Sequence, residues 1–379
     1  FMVVFLCTLA SFRNAYHKVH GQDTESVNKN SNRSNPNLDV VVVKIGGSSI
    51  TDKGSFEKLQ NDALHWFAKQ IAVSINPSFK APDETLPASC LADTNVEAES
   101  DDASSCSKKQ STLPPDTGRS FIIIHGAGSF GHFQAKQHGL TGKSSPPNNT
   151  NVASSTSTGM ISTNDTIRRR YQNRGLAATR SSVQKLNRML VETLIEYGIN
   201  AVGISPCLNV PGIEAHAGLQ TNGPIESLRQ IVHRTVNAGL VPVLHGDACL
   251  YGKNDVGILS GDTLVEILGC SSWVSRAVFL TDVDGVFTDD PRTNPHATLI
   301  REIGVNPTTK ELILQSNEYV LKASESTHGH DVTGGLKTKL QSAATVAGDN
   351  KNVTIVKYGT RSAQNALDGG WIDTGTTLY

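Results

Sequence analysis

Six short apolar runs, bounded mostly by glycine, constrain the fold of this chain most strongly. They are DVVVVKIGG, SFIIIHGAG, NAVGISP, LVPVLHGD, AVFLTDVDG and NVTIVKYG. Runs of this length that are rich in Val and Ile are typical of strands buried on both faces of a parallel sheet. Between them lie helical patterns, of which the clearest are RSSVQKLNRMLVETLIEYG, SGDTLVEILGC and TGGLKTKLQSAATVAG. This alternation predicts an α/β fold, an open αβα sandwich with a mainly parallel central sheet and right-handed crossovers.

Three polar segments interrupt this pattern. Residues 1–37 end in an Asn- and Ser-rich stretch, and residues of about 76–118 and 141–159 contain few large apolar side chains. We interpret residues 1–37 as a disordered leader and the other two segments as surface insertions. The apolar MVVFLCTLA in the leader is too short for a bilayer, which needs about 20 apolar residues. It is either an unstructured leader or a weak targeting segment, so we expect a cytoplasmic location with organelle targeting left open.

Charge and cysteine content argue against several classes of function. The 379 residues have a formal net charge of −1, which gives no bulk attraction to nucleic acid or to an acidic membrane. We interpret the one local basic stretch as a solvated helix face, formed by Arg168, Arg169, Arg170, Arg174 and Arg180. The six cysteines form no C-x-x-C pair and no cluster with zinc spacing, which is typical of a chain in a reducing compartment.

Several predicted strands end in glycine-rich or charged turns. These are KIGGSS, HGAGSFGH, HGDACL, SGDT, TDVDGVF and DVTGGLKTK. Ligands of doubly wound sheets bind beyond the carboxyl ends of the strands, where glycines let backbone amides approach an anion. Neither of the first two loops is a P-loop. GAGSFG has the G-x-G-x-x-G spacing, but a Ser/Pro/Asn-rich segment follows where a dinucleotide site would have its next strand and acid, which disfavours that interpretation.

Five motifs together resemble the amino acid kinase superfamily and, within it, the isopentenyl phosphate kinases. They are KIGGSSITDK, HGAGSFGHFQAKQHG, HGDACL with ILSGDTLVEIL, FLTDVDGVFTDDP and DVTGGLKTKL. The resemblance runs from about residue 38 to 379, interrupted by the two insertions, and ATRSSVQKLN resembles the eukaryotic branch. Ala127 departs from the pattern because glycine is common there, but one methyl group is tolerable if its φ is negative.

The resemblance implies ATP-dependent phosphorylation of isopentenyl phosphate to isopentenyl diphosphate. It implies an acceptor-binding lobe at residues 38–275 and a nucleotide-binding lobe at 276–379. It also implies Mg²⁺ with the ATP, held mostly on phosphate oxygens, an isoprenoid monophosphate as substrate, and a homodimer. No nucleic acid partner and no stable membrane insertion are expected.

Four residues take catalytic roles under this resemblance. Lys44 would bridge the acceptor phosphate and the β- and γ-phosphates, and Lys53 would stabilise charge on the transferring group. His132, which closes HGAGSFGH, would donate a hydrogen bond to the acceptor phosphate. Asp262 would orient the lysines, cap the following helix, or do both.

The resemblance also implies a set of binding residues. Those expected at ATP are Lys44, Gly46, Gly47, Ser48, Gly128, Asp282, Gly285, Gly335 and Lys339. Those expected at the acceptor are Ala127, His132 and Ile258. Lys337 competes with Lys339 for the ATP phosphates, and the spacing in the family favours Lys339.

Two other interpretations of the motifs are possible. The first keeps the fold but changes the acceptor to another small carboxylate, phosphonate or phosphate. The second is a nucleotide-binding protein without catalysis. Lys44, Lys53 and Lys339 together argue against the second reading, because a simple binder has no need for charge at the transferring phosphoryl group.

Overall fold

The six apolar runs form six adjacent strands of one large sheet in the computed structural model. The described residues are 38–52, 54–80, 118–140, 163–209, 213, 222–251, 255–289, 291, 293–313 and 335–379. The predicted leader, Lys53 and the second insertion lie outside the described residues. The first insertion also lies outside them, apart from its two ends.

The described strands form one nine-stranded sheet and two small ribbons. The strands are β1 (Asp39–Ile45), β2 (Arg119–His125), β3 (Ala201–Ile204), β4 (Val241–His245), β5 (Asp247–Tyr251), β6 (Asp255–Leu259), β7 (Arg276–Thr281), β8 (Val286–Phe287), β9 (Leu299–Ile300), β10 (Glu302–Val305), β11 (Leu312–Ile313), β12 (Asn352–Lys357) and β13 (Thr376–Leu378). The large sheet has the order β11-β10-β13-β12-β7-β1-β2-β4-β3, and β5 pairs with β6 and β8 with β9. All neighbours in the large sheet are parallel except β10–β11 and β12–β13. The prediction of a mainly parallel central sheet is therefore confirmed.

Helices cover both faces of this sheet. They are α1 (Gly47–Ile50), α2 (Asn61–Ile75), α3 (Gly128–Gln137), α4 (Thr163–Glu196), α5 (Pro206–Asn209), α6 (Asn222–Asn237), α7 (Gly261–Gly269), α8 (Gly335–Ala347) and α9 (Arg361–Asp368). The three clearest helical patterns of the sequence correspond to α4, α7 and α8. Helix α4 begins at Thr163, well before Arg180, where its sequence pattern begins. Among the described residues, no helix combines the length and the apolar character needed to cross a bilayer.

The core explains why β1 contains four consecutive valines. Val41, Val42 and Val43 have no solvent exposure. Val41 and Val43 pack in a cluster with residues of α2, α4 and α9, while the alternating side chains point to the opposite face, where α7 contacts β1. A strand covered on both faces needs apolar residues at successive positions, so a continuous apolar run forms there instead of an alternating one.

Residues Asp39–Tyr379 form a single compact unit. The division of this unit into an acceptor lobe and a nucleotide lobe at residue 275 remains a prediction.

Candidate active site

The carboxyl ends of four neighbouring parallel strands lie side by side. In the strand register Ile45 pairs with both His125 and Leu280, and His125 pairs with His245. The ladder continues one residue into each loop, because Gly126 N donates to Ile45 O at 3.0 Å and Gly246 N donates to His125 O at 3.1 Å. The glycine-rich turns that follow β1, β2 and β4 therefore meet at one edge of the sheet.

The turns after β1 and β2 are in direct backbone contact. A Cβ added to Gly47 would lie 2.2 Å from the nitrogen and 2.6 Å from the Cα of Gly128, closer than real Cβ contacts allow. Gly128 itself has a φ of +51°, in the left-handed region that favours glycine. Thr51 joins the two turns, since its Oγ1 donates to Gly47 O at 2.8 Å and accepts from Ser129 N at 3.0 Å. We call these two turns, residues 46–48 and 126–128, the paired glycine turns.

Not every amide of the paired glycine turns is available to a ligand. Gly46 N donates to Leu280 O at 3.0 Å and so extends the sheet, which removes the Gly46 amide from the expected phosphate contacts. Gly47, Ser48 and Gly128 lie in the first turns of α1 and α3, where backbone N–H groups have no acceptor within their own helix. Ala127 has a φ of −67°, so its extra methyl group is accommodated without backbone strain.

A buried ion pair lies beside these turns. Lys44 Nζ is 2.6 Å from Asp262 Oδ1, and the two side chains are 6% and 4% exposed. Lys44 comes from the end of β1 and Asp262 from the first turn of α7. The N-cap of α7 is Ser260, whose Oγ accepts from Asp262 N at 3.1 Å. The alternative of Asp262 as helix cap is therefore wrong, and its carboxylate is directed to the lysine instead.

Helix α8 lies alongside α7. Ser342 Oγ donates to Glu266 Oε1 at 2.7 Å, and one turn further on Gly269 lies against Val346. From the first contact to the second, the residue number increases along both helices, so the two helices run parallel. The start of α8 therefore lies toward the end of α7 that carries Asp262. Burial, together with the charge of Asp262, raises the pKa of Glu266 above its ordinary value. Parallel packing of these helices brings the amino-terminal turn of α8, with Gly335 and Lys339, toward the same edge of the sheet.

Other predicted site residues that the structure describes lie on α3, on β6 and in the turn after β7. His132 lies on α3 one turn after Gly128. Ile258, on β6, packs against an apolar cluster of Ala135, Leu140, Ala248 and Val256. Asp282 is exposed at the end of β7, which neighbours β1, and Gly285 follows in the same turn.

Sequence reasoning missed a polar network on α4. Arg180 is 7% exposed, so its assignment to the solvated helix face is wrong, whereas the other four arginines of that stretch are exposed. Arg180 Nη1 donates to Asp247 Oδ2 at 2.6 Å and Nη2 to Ser205 Oγ at 3.1 Å. Seven residues on, Asn187 Nδ2 contacts His125 Nε2 at 3.1 Å. The available signal was spacing, because Arg180 and Asn187 share a helix face with the buried Val183.

Two buried histidines, His125 and His245, end β2 and β4 and immediately precede the glycines that follow these strands. The rings of His125 and His245 are 5.7 Å apart, centre to centre, and both are almost fully buried. Burial lowers the pKa of His125 to about 3, with a further lowering from His245. Burial likewise lowers the pKa of His245 to about 4. The contacts of His125 fit a neutral ring, which donates from Nδ1 to Gly126 O and accepts at Nε2 from Asn187.

These two histidines predict an acid-sensitive fold. Between about pH 6.5 and pH 4 the unfolded chain binds protons at both rings while the folded chain does not, so stability falls as the pH is lowered. The two rings alone would give a slope of up to about 2.7 kcal/mol per pH unit, since one proton corresponds to about 1.36 kcal/mol. Burial raises the pKa of the neighbouring Asp247 to about 7, so its folded form binds a proton in this range that the unfolded form lacks, which offsets up to about half of that slope. Denaturant unfolding at pH 6 and pH 5 measures the net slope. The His245→Gln variant should have a slope lower than that of the wild type by about 1.4 kcal/mol per pH unit. A slope unchanged from that of the wild type would contradict the prediction.

Comparison with known proteins identifies the family of this chain. Residues 93–357 match the amino acid kinase family. The chain therefore belongs to the amino acid kinase family. Among its relatives are isopentenyl phosphate kinases. That of Arabidopsis thaliana is 31% identical over 343 residues, covering 86% of this chain and 90% of the relative. That of Thermoplasma acidophilum is 27% identical over 230 residues, covering 61% and 73%.

The fold is also found in solved structures. An X-ray structure of isopentenyl phosphate kinase superposes with a TM-score of 0.57 at 23% sequence identity, covering 90% of this chain and all of the other. At this identity the likeness supports the fold. The predicted αβα class and the family resemblance of the sequence motifs are thus confirmed.

Proposed function

We propose that this protein transfers the γ-phosphoryl group of ATP to isopentenyl phosphate, giving isopentenyl diphosphate and ADP. The observation that carries the proposal is the buried Lys44–Asp262 pair next to the paired glycine turns. A cation held there by a carboxylate, beside the backbone amides of two helix starts, is suited to a ligand with several phosphate groups. The relatives named above carry the same activity in their names.

The chemistry requires positive charge and alignment more than proton transfer. Both reactants are anions, and the attacking phosphate oxygen is already ionised near neutral pH. The protein therefore has to hold the two phosphates close and offset their repulsion. Lys44 supplies an ammonium group that Asp262 fixes in position, and the amides of Gly47, Ser48 and Gly128 supply further donors. Lys53 would stabilise charge on the transferring group.

The acceptor would lie on the side of α3. His132 would donate a hydrogen bond to the acceptor phosphate, with Ala127 offering its amide. The apolar cluster that includes Ile258 lies against the second half of α3, where it would cover a short hydrocarbon tail. An anion at one end of α3 and apolar side chains at the other match an isoprenoid monophosphate.

The donor nucleotide would lie on the side of β7 and α8. Gly335 and Lys339 would hold its phosphates, and Asp282 and Gly285 would border the nucleoside. Mg²⁺ would accompany ATP on its phosphate oxygens, where it would offset charge between the phosphates. Among the described residues there is no group of three or more metal-binding side chains. The homodimer and the cytoplasmic location remain predictions.

An acceptor panel tests the proposal. The full chain is incubated with ATP and Mg²⁺ and with isopentenyl phosphate, acetylglutamate, glutamate or a small phosphonate, and ADP release is followed. We expect rapid ADP release with isopentenyl phosphate and formation of a diphosphate detectable by ³¹P NMR. Turnover only with a carboxylate or phosphonate would replace the acceptor in the proposal. No ADP release with any acceptor would favour a nucleotide-binding protein without catalysis.

A further inference from the structure

The loop after α1, residues 51–60, is tied to α4 through one carboxylate. Glu57 Oε1 accepts from Ser182 Oγ at 2.5 Å, and Glu57 Oε2 accepts from Lys185 Nζ at 2.7 Å. The Glu57 side chain is 20% exposed. Burial raises its pKa, but the hydrogen bonds and the charge of Lys185 bring the pKa below its ordinary value. The two donors lie three residues apart on α4, so they face the loop together.

Glu57 has a backbone conformation that its residue type seldom adopts. Its φ is +48°, in the left-handed region where glycine is the usual residue. A non-glycine residue persists there when surrounding contacts fix it, and such positions cluster at functional sites. The carboxylate contacts with α4 are a reason for glutamate at this position, since glycine would fit the backbone but could not reach Ser182 and Lys185.

The same loop is closed on itself and against α3. The Asp52 carboxylate accepts from Gly54 N at 2.9 Å and lies 3.1 Å from Lys58 Nζ, while Asp52 N donates to Lys58 O at 2.9 Å. Glu57 N donates to Ser129 O at 3.4 Å, in the first turn of α3. The residues on both sides of position 53 are thus held in a closed loop, and Glu57 connects that loop to α3 and α4 at once.

We infer that Glu57 is a positioning residue for phosphoryl transfer, which it supports by fixing the loop that carries position 53 against α3 and α4. The inference rests on the proposed function, because Lys53 is the residue expected to stabilise charge on the transferring group. Glu57 is not expected to touch either substrate. Glu57 contacts α4 instead. The same helix also holds His125 through Asn187 and the β4–β5 turn through Arg180.

This inference gives the polar residues of ATRSSVQKLN, on α4, a common role in supporting the carboxyl edge of the sheet. Ser182 and Lys185 both contact Glu57, Arg180 contacts Asp247 at the start of β5, and Asn187 contacts His125 at the end of β2. Helix α4 therefore serves as a common support for this edge, and the Glu57 contacts are the ones that reach the loop of Lys53.

A double-mutant cycle with position 53 tests the inference. In the otherwise wild-type chain, Glu57→Gln should lower kcat by roughly 10- to 100-fold with both KM values within about threefold, because a small displacement of a catalytic group costs rate more than binding. In a Lys53→Ala background the same change should lower kcat no further, since the residue that it positions is absent. An equal fold-loss in both backgrounds, or a loss confined to KM, would overturn the inference.

Two further variants separate positioning from general damage. Glu57→Gly keeps the left-handed backbone but removes the carboxylate, so it should match Glu57→Gln in kcat, and a wild-type kcat would overturn the role of the carboxylate. Glu192→Gln removes the partner of Arg188 on the same helix, an exposed pair at 2.7 Å, and should leave kcat unchanged. An equal loss in Glu192→Gln would show that any charge change on α4 has this effect.

Hydrogen exchange gives a measurement that does not depend on turnover. Gly54 N donates to Asp52 within the loop and Glu57 N donates to Ser129 O on α3. Both amides should exchange faster in Glu57→Gln while amides of β1 stay protected. Unchanged exchange at these amides would overturn the inference. Wild-type turnover of the acceptor panel tests the proposed function separately, and the cycle can be run with whichever acceptor is phosphorylated.

Discussion

Gly47→Ala should lower kcat by about 100-fold or more while leaving a folded protein. The new Cβ would lie 2.2 Å from Gly128 N and 3.1 Å from the Gly126 carbonyl carbon, all of it backbone. A side chain can rotate away from such a contact, but two strand-end turns can only move apart. Their separation would displace the backbone amides of both turns, and a misplacement of about 1 Å in a catalytic site can cost about 100-fold in rate. Overpacking of this kind costs about 1–3 kcal/mol of stability.

A second glycine provides the matched control. Gly223 is exposed at the start of α6, and a Cβ added there would meet no atom within 4 Å. Gly223→Ala should leave kcat unchanged and alter stability by less than about 1 kcal/mol. Steady-state kinetics measures kcat of both variants, and denaturant unfolding measures their stability. If Gly47→Ala retained wild-type kcat, the paired glycine turns would not be part of the reacting site.

The central sheet was predictable because its signal is local. The consecutive buried valines of β1 have only one common explanation, a strand covered on both faces, and the glycines after β1 and β2 mark where each strand must end. Parallel order then brings those turns to one edge. The positions of Lys44, Gly47 and Gly128 at that edge follow from the strand pattern alone, before any side-chain contact is known.

The contacts within the site were less predictable because they join distant parts of the chain. The family resemblance implied that Asp262 orients the lysines, but nothing near Asp262 in the sequence shows that its carboxylate points to Lys44 and not to its own helix end. The same holds for Arg180, since a basic residue next to exposed arginines has the local appearance of a solvent-facing side chain. Glu57 was missed for another reason: its left-handed backbone and its bonds to α4 have no signature in a sequence.

Asp262→Asn should be the most damaging single change in the site for both stability and rate. It leaves the Lys44 ammonium, on a side chain that is 6% exposed, without the carboxylate at 2.6 Å. Loss of one partner of a buried ion pair costs about 3–5 kcal/mol, mainly because the remaining charge stays in a poorly solvated place. The rate should fall by about 100- to 1,000-fold, since a lysine that is no longer fixed cannot meet the developing charge in its required geometry.

The double variant Lys44→Met/Asp262→Asn separates these two effects. Removing both charges takes away the buried ammonium as well, so most of the lost stability should return. Activity should not return, because the cation that bridges the phosphates is then missing. Thermal or denaturant unfolding measures the first quantity and ADP release the second. Recovery of kcat in the double variant, or near-normal kcat in Asp262→Asn, would show that Lys44 stabilises the fold without acting in phosphoryl transfer.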